Sequence, residues 1–191
     1  MNAHEPEYQD GRPVPVDDGA AAHLEGLPLP ALSLLTTAGE WVNLAGLDGR
    51  WVIYVYPMTG RPGEPLPEDW DLIPGARGCT PQSCAFRDHY AELQALDAGL
   101  FGLSAQTSED QQEARQRLHL PYPLLSDNRL QLKQALGLPT FTAGGRELYR
   151  RLTLIAAEGR IVKVFYPVFP PERNAEEVAA WLRAHPRGPS G

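Results

Sequence analysis

Gly78-Cys79-Thr80-Pro81-Gln82-Ser83-Cys84-Ala85-Phe86-Arg87-Asp88 runs from a Pro/Gly-rich loop toward a helix and carries both cysteines of the 191-residue chain. Thr80 and Pro81 are helix-start signals. A thiol at a helix start meets unpaired backbone N–H groups and the positive end of the macrodipole, and both favour the reactive thiolate over the thiol. On a regular helix, residues i and i+5 lie about 8.7 Å apart between Cα atoms, whereas a disulfide needs roughly 4.4–6.8 Å. Any bond between the two sulfurs therefore requires the first helical turn to come undone, as in a cycling redox couple. So short a loop would stabilise the fold little as a static cross-link.

Two plainer readings compete. Buried cysteines often serve as small hydrophobes, and Cys79, Cys84 and His89 form a C-x4-C-x4-H run. A closed zinc site wants four ligands at tighter spacings, and no third cysteine exists to complete one. His89 is expected to be a partly exposed helix residue. No metal and no cofactor are expected, and a CxxC motif is absent.

With 42% hydrophobic residues, the chain fits one compact domain, read as residues 24–185, between a flexible arm over 1–23 and a flexible tail over 186–191. Its formal net charge of −7 opposes nucleic acid and anionic membranes, so neither partner is expected. Met1 to Ala22 is polar and acidic without an apolar h-region, and no apolar run is long enough to span a bilayer. A soluble protein is expected. A cycling cysteine pair suits a reducing compartment, and the cytoplasm is the expected one.

Working outward from the cysteines, Trp51-Val52-Ile53-Tyr54-Val55-Tyr56 reads as a central strand buried on both faces and ended by Pro57. Upstream, Ala31 to Leu35 and Trp41 to Leu44 read as two short strands around a turn. Between Met58 and Gly78 lie 21 Pro/Gly-rich residues, an uncommonly long and hence functional or mobile loop that Trp70, Leu72 and Ile73 are placed to anchor. Phe86, Tyr90, Leu93 and Leu96 give the cysteine helix an apolar stripe. Leu100 to Ser104 is a second buried strand. Ser108 opens a helix to about Leu118 through an S-x-x-Q box, and a short helix spans about Arg129 to Leu136. Arg151 to Ala156 and Arg160 to Phe165 form a hairpin about Glu158-Gly159, and a last helix starts near Asn174 with Glu177 three residues on. This order predicts an α/β domain of the thioredoxin-like kind, a central mixed sheet flanked by helices, with an N-terminal strand extension.

The stretch Gly78-Cys79-Thr80, Cys84 and Phe86-Arg87-Asp88 resembles the G-C-T-x-x-x-C-x-F-R-D segment of peroxiredoxins of the bacterioferritin-comigratory-protein or PrxQ subgroup. The resemblance covers about residues 24–183. Tyr56-Pro57, the run Leu120-Pro121-Tyr122-Pro123-Leu124-Leu125-Ser126-Asp127 and Arg151-Leu152-Thr153-Leu154-Ile155 support it. It implies that Cys79 is the peroxidatic cysteine, Cys84 the resolving cysteine and Arg151 the arginine beside the peroxidatic sulfur. On the residues alone, Arg151 would read as an exposed strand residue like Arg150. The family pattern also places a proline seven residues, and a hydroxyl residue three residues, before the peroxidatic cysteine. Leu72 and Ala76 stand there instead. If the long loop interrupts the pattern, Pro57 and Thr59 take those places, which makes Thr59 the candidate hydroxyl. Arg61, Arg77 and Arg87 read as solvated loop or helix residues, although each is a further cation within reach of the site by sequence.

The resemblance implies an enzyme that reduces hydrogen peroxide or organic hydroperoxides. Cys79 would pass through a sulfenic acid captured by Cys84 as an intrachain disulfide, and thioredoxin or a similar dithiol protein would reset it. The chain would work as a monomer or, at most, a weak dimer. A thiol–disulfide oxidoreductase and a redox-sensing module of the same fold are the alternatives.

Overall fold

A computed structural model describes residues 6–188. Strands β1 (Tyr8–Gln9) and β2 (Arg12–Pro13) form a small hairpin near the N-terminus, followed by β3 (Ser33–Thr36), β4 (Trp41–Asn43) and β5 (Arg50–Val55). Helix α1 (Cys79–Ala95) precedes β6 (Ala98–Ser104), α2 (Ser108–Arg117), β7 (Leu124–Ser126) and α3 (Gln131–Leu136). The chain closes with a hairpin of β8 (Thr140–Ala143) and β9 (Arg146–Tyr149), a second of β10 (Leu152–Ala157) and β11 (Arg160–Phe165), and helix α4 (Asn174–Ala184).

Seven strands form one mixed sheet in the order β11-β10-β5-β6-β7-β3-β4. β5, β6 and β7 run parallel, and the remaining pairs are antiparallel. This is the expected thioredoxin-like mixed sheet, with β3 and β4 as the added N-terminal strands at one edge. β5 is sandwiched because successive side chains of a strand point to opposite faces. Ile53 and Val55 join Phe101, Leu103 and Leu154 in one core, while Val52, Tyr54 and Tyr56 meet Phe86 and Leu93 of α1 and Val178 and Leu182 of α4 in the other. Gly102 is required beside Tyr54, since a Cβ there would stand 2.7 Å from the tyrosine ring.

Several expectations shift in detail. α2 is capped by Thr107, whose side chain accepts from the Asp110 backbone N–H, one residue before the serine expected to do so. Asn174 does not cap α4; its side chain turns inward. In the long loop, Trp70 is buried at 5% exposure and packs with Met58, Ala143 and Leu148, with Ile73 against that cluster, but Leu72 is 62% exposed and anchors nothing. The hairpin β8–β9 that receives Trp70 was not expected from sequence, although Thr140-Phe141-Thr142-Ala143 alternates polar and apolar residues and turns Phe141 and Ala143 to Trp70. Within the arm expected over 1–23, the described residues carry β1 and β2, bury Ala21 and bring the His23 ring within 2.7 Å of the Leu136 carbonyl. Residues 1–5 and 189–191 lie outside the described residues. Among the described residues, no helix is long and apolar enough to cross a membrane.

Candidate active site

Cys79 is the first residue of α1, and Gly78 caps the helix at φ 114°. Only glycine suits this place: the φ is left-handed, and a Cβ would stand 2.6 Å from Cγ of Pro171. The helix start thereby presses against the short turn Pro171–Arg173 that leads into α4. Cys79 is 4% exposed, and its sulfur lies 3.7 Å from the Ala76 carbonyl oxygen.

Arg151, immediately before β10, reaches under this helix start. It is 3% exposed, which corrects the exposed-strand reading drawn from the residues alone. Its Nε donates to the Gly75 carbonyl at 3.2 Å, Nη1 to Gln82 Oε1 at 2.5 Å, and Nη2 to the Ala76 carbonyl at 3.0 Å. Nη2 also stands 3.2 Å from the Cys79 sulfur. A guanidinium stays protonated in proteins, so this is a buried positive charge. None of these partners is a carboxylate: Glu172 feels the arginine only through space, and the Cys79 sulfur is the group at contact distance on which a negative charge would be stabilised.

Gln82 holds the arginine in place. It is fully buried, and its Nε2 donates to Asn174 Oδ1 at 3.1 Å, which also accepts from the Thr153 hydroxyl at 2.6 Å. Gln82, Thr153 and Asn174 were not singled out from sequence. Polar residues on apolar faces were the available signal, since a buried polar group demands a partner.

Thr59 is 4% exposed and lines the same cleft as Cys79, a space of ≈ 650 Å³. Its backbone N–H and its hydroxyl both donate to Gln106 Oε1, at 3.0 and 3.3 Å, and Gln106 Nε2 donates back to the Thr59 carbonyl at 3.1 Å. Arg61 and Arg77 also line the cleft. Arg61 is paired with Asp110 at 2.6 Å, and Arg77 stands 3.8 Å from Asp71. Arg87 does not line it. Asp88 in the first place, and Cys84 after it, hold the Arg87 guanidinium above its ordinary range. His89 is half-exposed and pairs with Glu92 at 2.9 Å.

Cys84 is half-buried on the same regular helix, and both thiols are free. Between the cysteines, Ser83 is gripped by two buried tyrosines. The Tyr54 hydroxyl donates to Ser83 Oγ at 3.1 Å, the Tyr122 hydroxyl donates to the Ser83 carbonyl at 2.8 Å, and the two hydroxyls are 2.8 Å apart. Burial pushes the Tyr54 phenol well up, so it stays a neutral donor.

The family model of the redoxins, described as Redoxin, matches residues 24–180. The chain belongs to the redoxin family. Within that family its similarity is to peroxiredoxins of the Q or bacterioferritin-comigratory group. The chloroplastic peroxiredoxin Q of Suaeda salsa is 30% identical over 164 residues, covering 84% of this chain and 68% of that protein. Peroxiredoxin bcp1 of Schizosaccharomyces pombe is 36% identical over 124 residues, covering 64% of this chain and 55% of that protein. Among solved structures, the Xanthomonas campestris bacterioferritin comigratory protein superposes with a TM-score of 0.65 at 25% identity, covering 83% of this chain and 97% of its own. Peroxiredoxins are thiol-dependent peroxidases, and this redoxin is an enzyme of that kind. The family match begins after β1 and β2, which precede the matched residues.

Proposed function

We propose that Cys79 is the peroxidatic nucleophile, Cys84 the resolving cysteine, and Arg151 and Thr59 the groups that orient the peroxide. The observation that carries the reading is the buried Arg151 guanidinium 3.2 Å from the Cys79 sulfur with no carboxylate partner. The Cys79 thiolate attacks the terminal oxygen of R–O–O–H, the O–O bond breaks, and the departing alkoxide takes a proton to leave as R–OH. Cys79 is thereby oxidised to a sulfenic acid. Arg151 and the N–H groups at the start of α1 stabilise negative charge as it moves from sulfur to oxygen. Thr59, whose hydroxyl hydrogen is engaged by Gln106 Oε1, offers its oxygen as an acceptor to the O–H of the peroxide. Cys84 then attacks the sulfenic sulfur, water leaves, and an intrachain disulfide remains for a dithiol protein such as thioredoxin to reduce by exchange.

Hydrogen peroxide and organic hydroperoxides are both taken as substrates. The cleft volume of ≈ 650 Å³ favours the larger class, because it falls in the range of roughly 300–1,000 Å³ typical of small-molecule sites. A reducing compartment, the cytoplasm, and a monomeric enzyme complete the reading. Stopped-flow mixing of single-cysteine variants with peroxide tests it. Cys79→Ser should not react, and Cys84→Ser should complete one turnover and stall. Rapid oxidation of Cys79→Ser would exchange the two roles.

A further inference from the structure

Residues 6–16 precede the matched domain, yet they lie against the active site. The backbone N–H of Val14 donates to the Glu7 carbonyl at 2.8 Å and closes the β1–β2 hairpin. Arg12 grips Glu172 through two hydrogen bonds, Nη1 to Oε2 at 3.1 Å and Nη2 to Oε1 at 2.9 Å, and lies over the Phe169 ring at 5.4 Å. Such a two-pronged pair fixes orientation as well as distance. Glu172 belongs to the turn whose Pro171 presses on Gly78, the cap of the cysteine helix. Farther along, Pro15 rests on Gly75, whose carbonyl accepts from Arg151. The strap is thus fastened at both ends to parts that hold Cys79 and Arg151.

Asp10 and Arg12 line the Cys79 cleft together with the apolar side chains of Met58, Leu66 and Trp70. Hydrogen peroxide, a little larger than a water's ~30 Å³, fills only the few ångströms around the sulfur. A hydroperoxide with a hydrocarbon group must extend from the sulfur into the rest of the cleft, where an arginine stem supplies further apolar surface. We propose that the strap, tethered by Arg12 to Glu172, is a wall of the peroxide cleft and favours organic hydroperoxides with an apolar group over hydrogen peroxide. The inference rests on the substrate reading given above.

The test measures kcat/KM for cumene hydroperoxide and for hydrogen peroxide, with dithiothreitol as reductant, in the full chain and in Arg12→Ala, Glu172→Ala and the double variant. The quantity read is the ratio of the two constants. It does not depend on the fraction of folded enzyme, so a stability loss cannot imitate the effect. The ratio should fall about fivefold in each single variant and no further in the double variant, because both changes cut one tether. A ratio within about twofold of the wild-type value would overturn the proposal. A ratio that rises would show that the strap shields the cleft and would also overturn it, as would additive losses in the double variant. Wild-type enzyme that consumes hydrogen peroxide but not cumene hydroperoxide would overturn the substrate reading as well, whereas activity on both with an unchanged ratio would remove the strap alone.

Discussion

The Arg151 guanidinium stands 3.2 Å from the Cys79 sulfur, and Gln82, Gly75 and Ala76 take three of its other donors. The arginine is therefore aimed at the sulfur by neutral oxygens, with no carboxylate in direct contact with it. Removing that charge should slow the peroxide step about 100-fold in Arg151→Gln, the scale for losing one donor at a developing anion. Arg150→Gln is the control, since Arg150 lies over the Phe141 ring at 6.0 Å and away from the sulfur. Stopped-flow rates at matched peroxide concentrations decide it, and equal losses in the two variants would show that the wrong arginine has been chosen.

Thr59→Val keeps the shape of the side chain and the backbone contact to Gln106 while removing the hydroxyl. Peroxide reduction should slow about tenfold, corresponding to about 1.4 kcal/mol of lost transition-state stabilisation. An unchanged second-order rate would mean that no hydroxyl replaces the one missing at Ala76.

Tyr122→Phe removes the donor to the Ser83 carbonyl and leaves the ring in its packing against Tyr54 and Tyr90. One hydrogen bond holding the inter-cysteine turn contributes about 1 kcal/mol. Unwinding that turn should become easier, and disulfide formation after sulfenic acid should accelerate about fivefold. The peroxide step itself should change little, so a two-step stopped-flow trace separates the effects. A slower second step would refute the role given to Tyr122.

Oxidation should link Cys79 to Cys84 within one chain and unwind residues from Gly78 to about Phe86. A regular helix keeps the two Cα atoms about 8.7 Å apart, beyond the reach of a disulfide. Intact mass should fall by about two hydrogens with no dimer on a non-reducing gel. Hydrogen exchange should then rise through the first turns of α1. Unaltered protection in fully oxidised protein would require another mechanism.

The Glu172 carboxyl is held below its ordinary range, first by its hydrogen bond to Arg12. A lowered folded-state value means that the pair stabilises the fold above the unfolded carboxyl's titration. That contribution disappears as pH falls through the folded value, below about 4.3 for an ordinary glutamate. Wild type should melt above Glu172→Gln at pH 7, and the gap should narrow progressively as the pH falls through the acid range. A gap that persists in acid would mean that charge is not what Arg12 recognises.

The order of elements could be read from the sequence because its signals are local. The β-branched and aromatic run at 51–56 makes a two-faced strand wherever it is placed, and Thr80-Pro81 starts a helix beside Cys79 whatever surrounds it. The same locality misled at α2 and α4, where a serine and an asparagine resembled caps but the geometry uses Thr107 in one case and turns Asn174 inward in the other. β8 and β9 escaped because each is only four residues long and β9 does not alternate, and they are held by Trp70 arriving from a distant loop.

By itself, the sequence determined the chemistry available: two thiols five residues apart at a helix start, in a chain patterned for a thioredoxin-like sheet. Only the tertiary structure decided how that chemistry is armed. It buried Arg151 beneath Cys79 instead of leaving it on the surface, brought Thr59 across a 20-residue separation into the same cleft, and laid the N-terminal strap along the rim. Each of these is a long-range contact, stabilised by burial and by polar groups that must find partners away from water. Spacing along the chain does not encode such contacts, because the partners meet only after the sheet has closed around them.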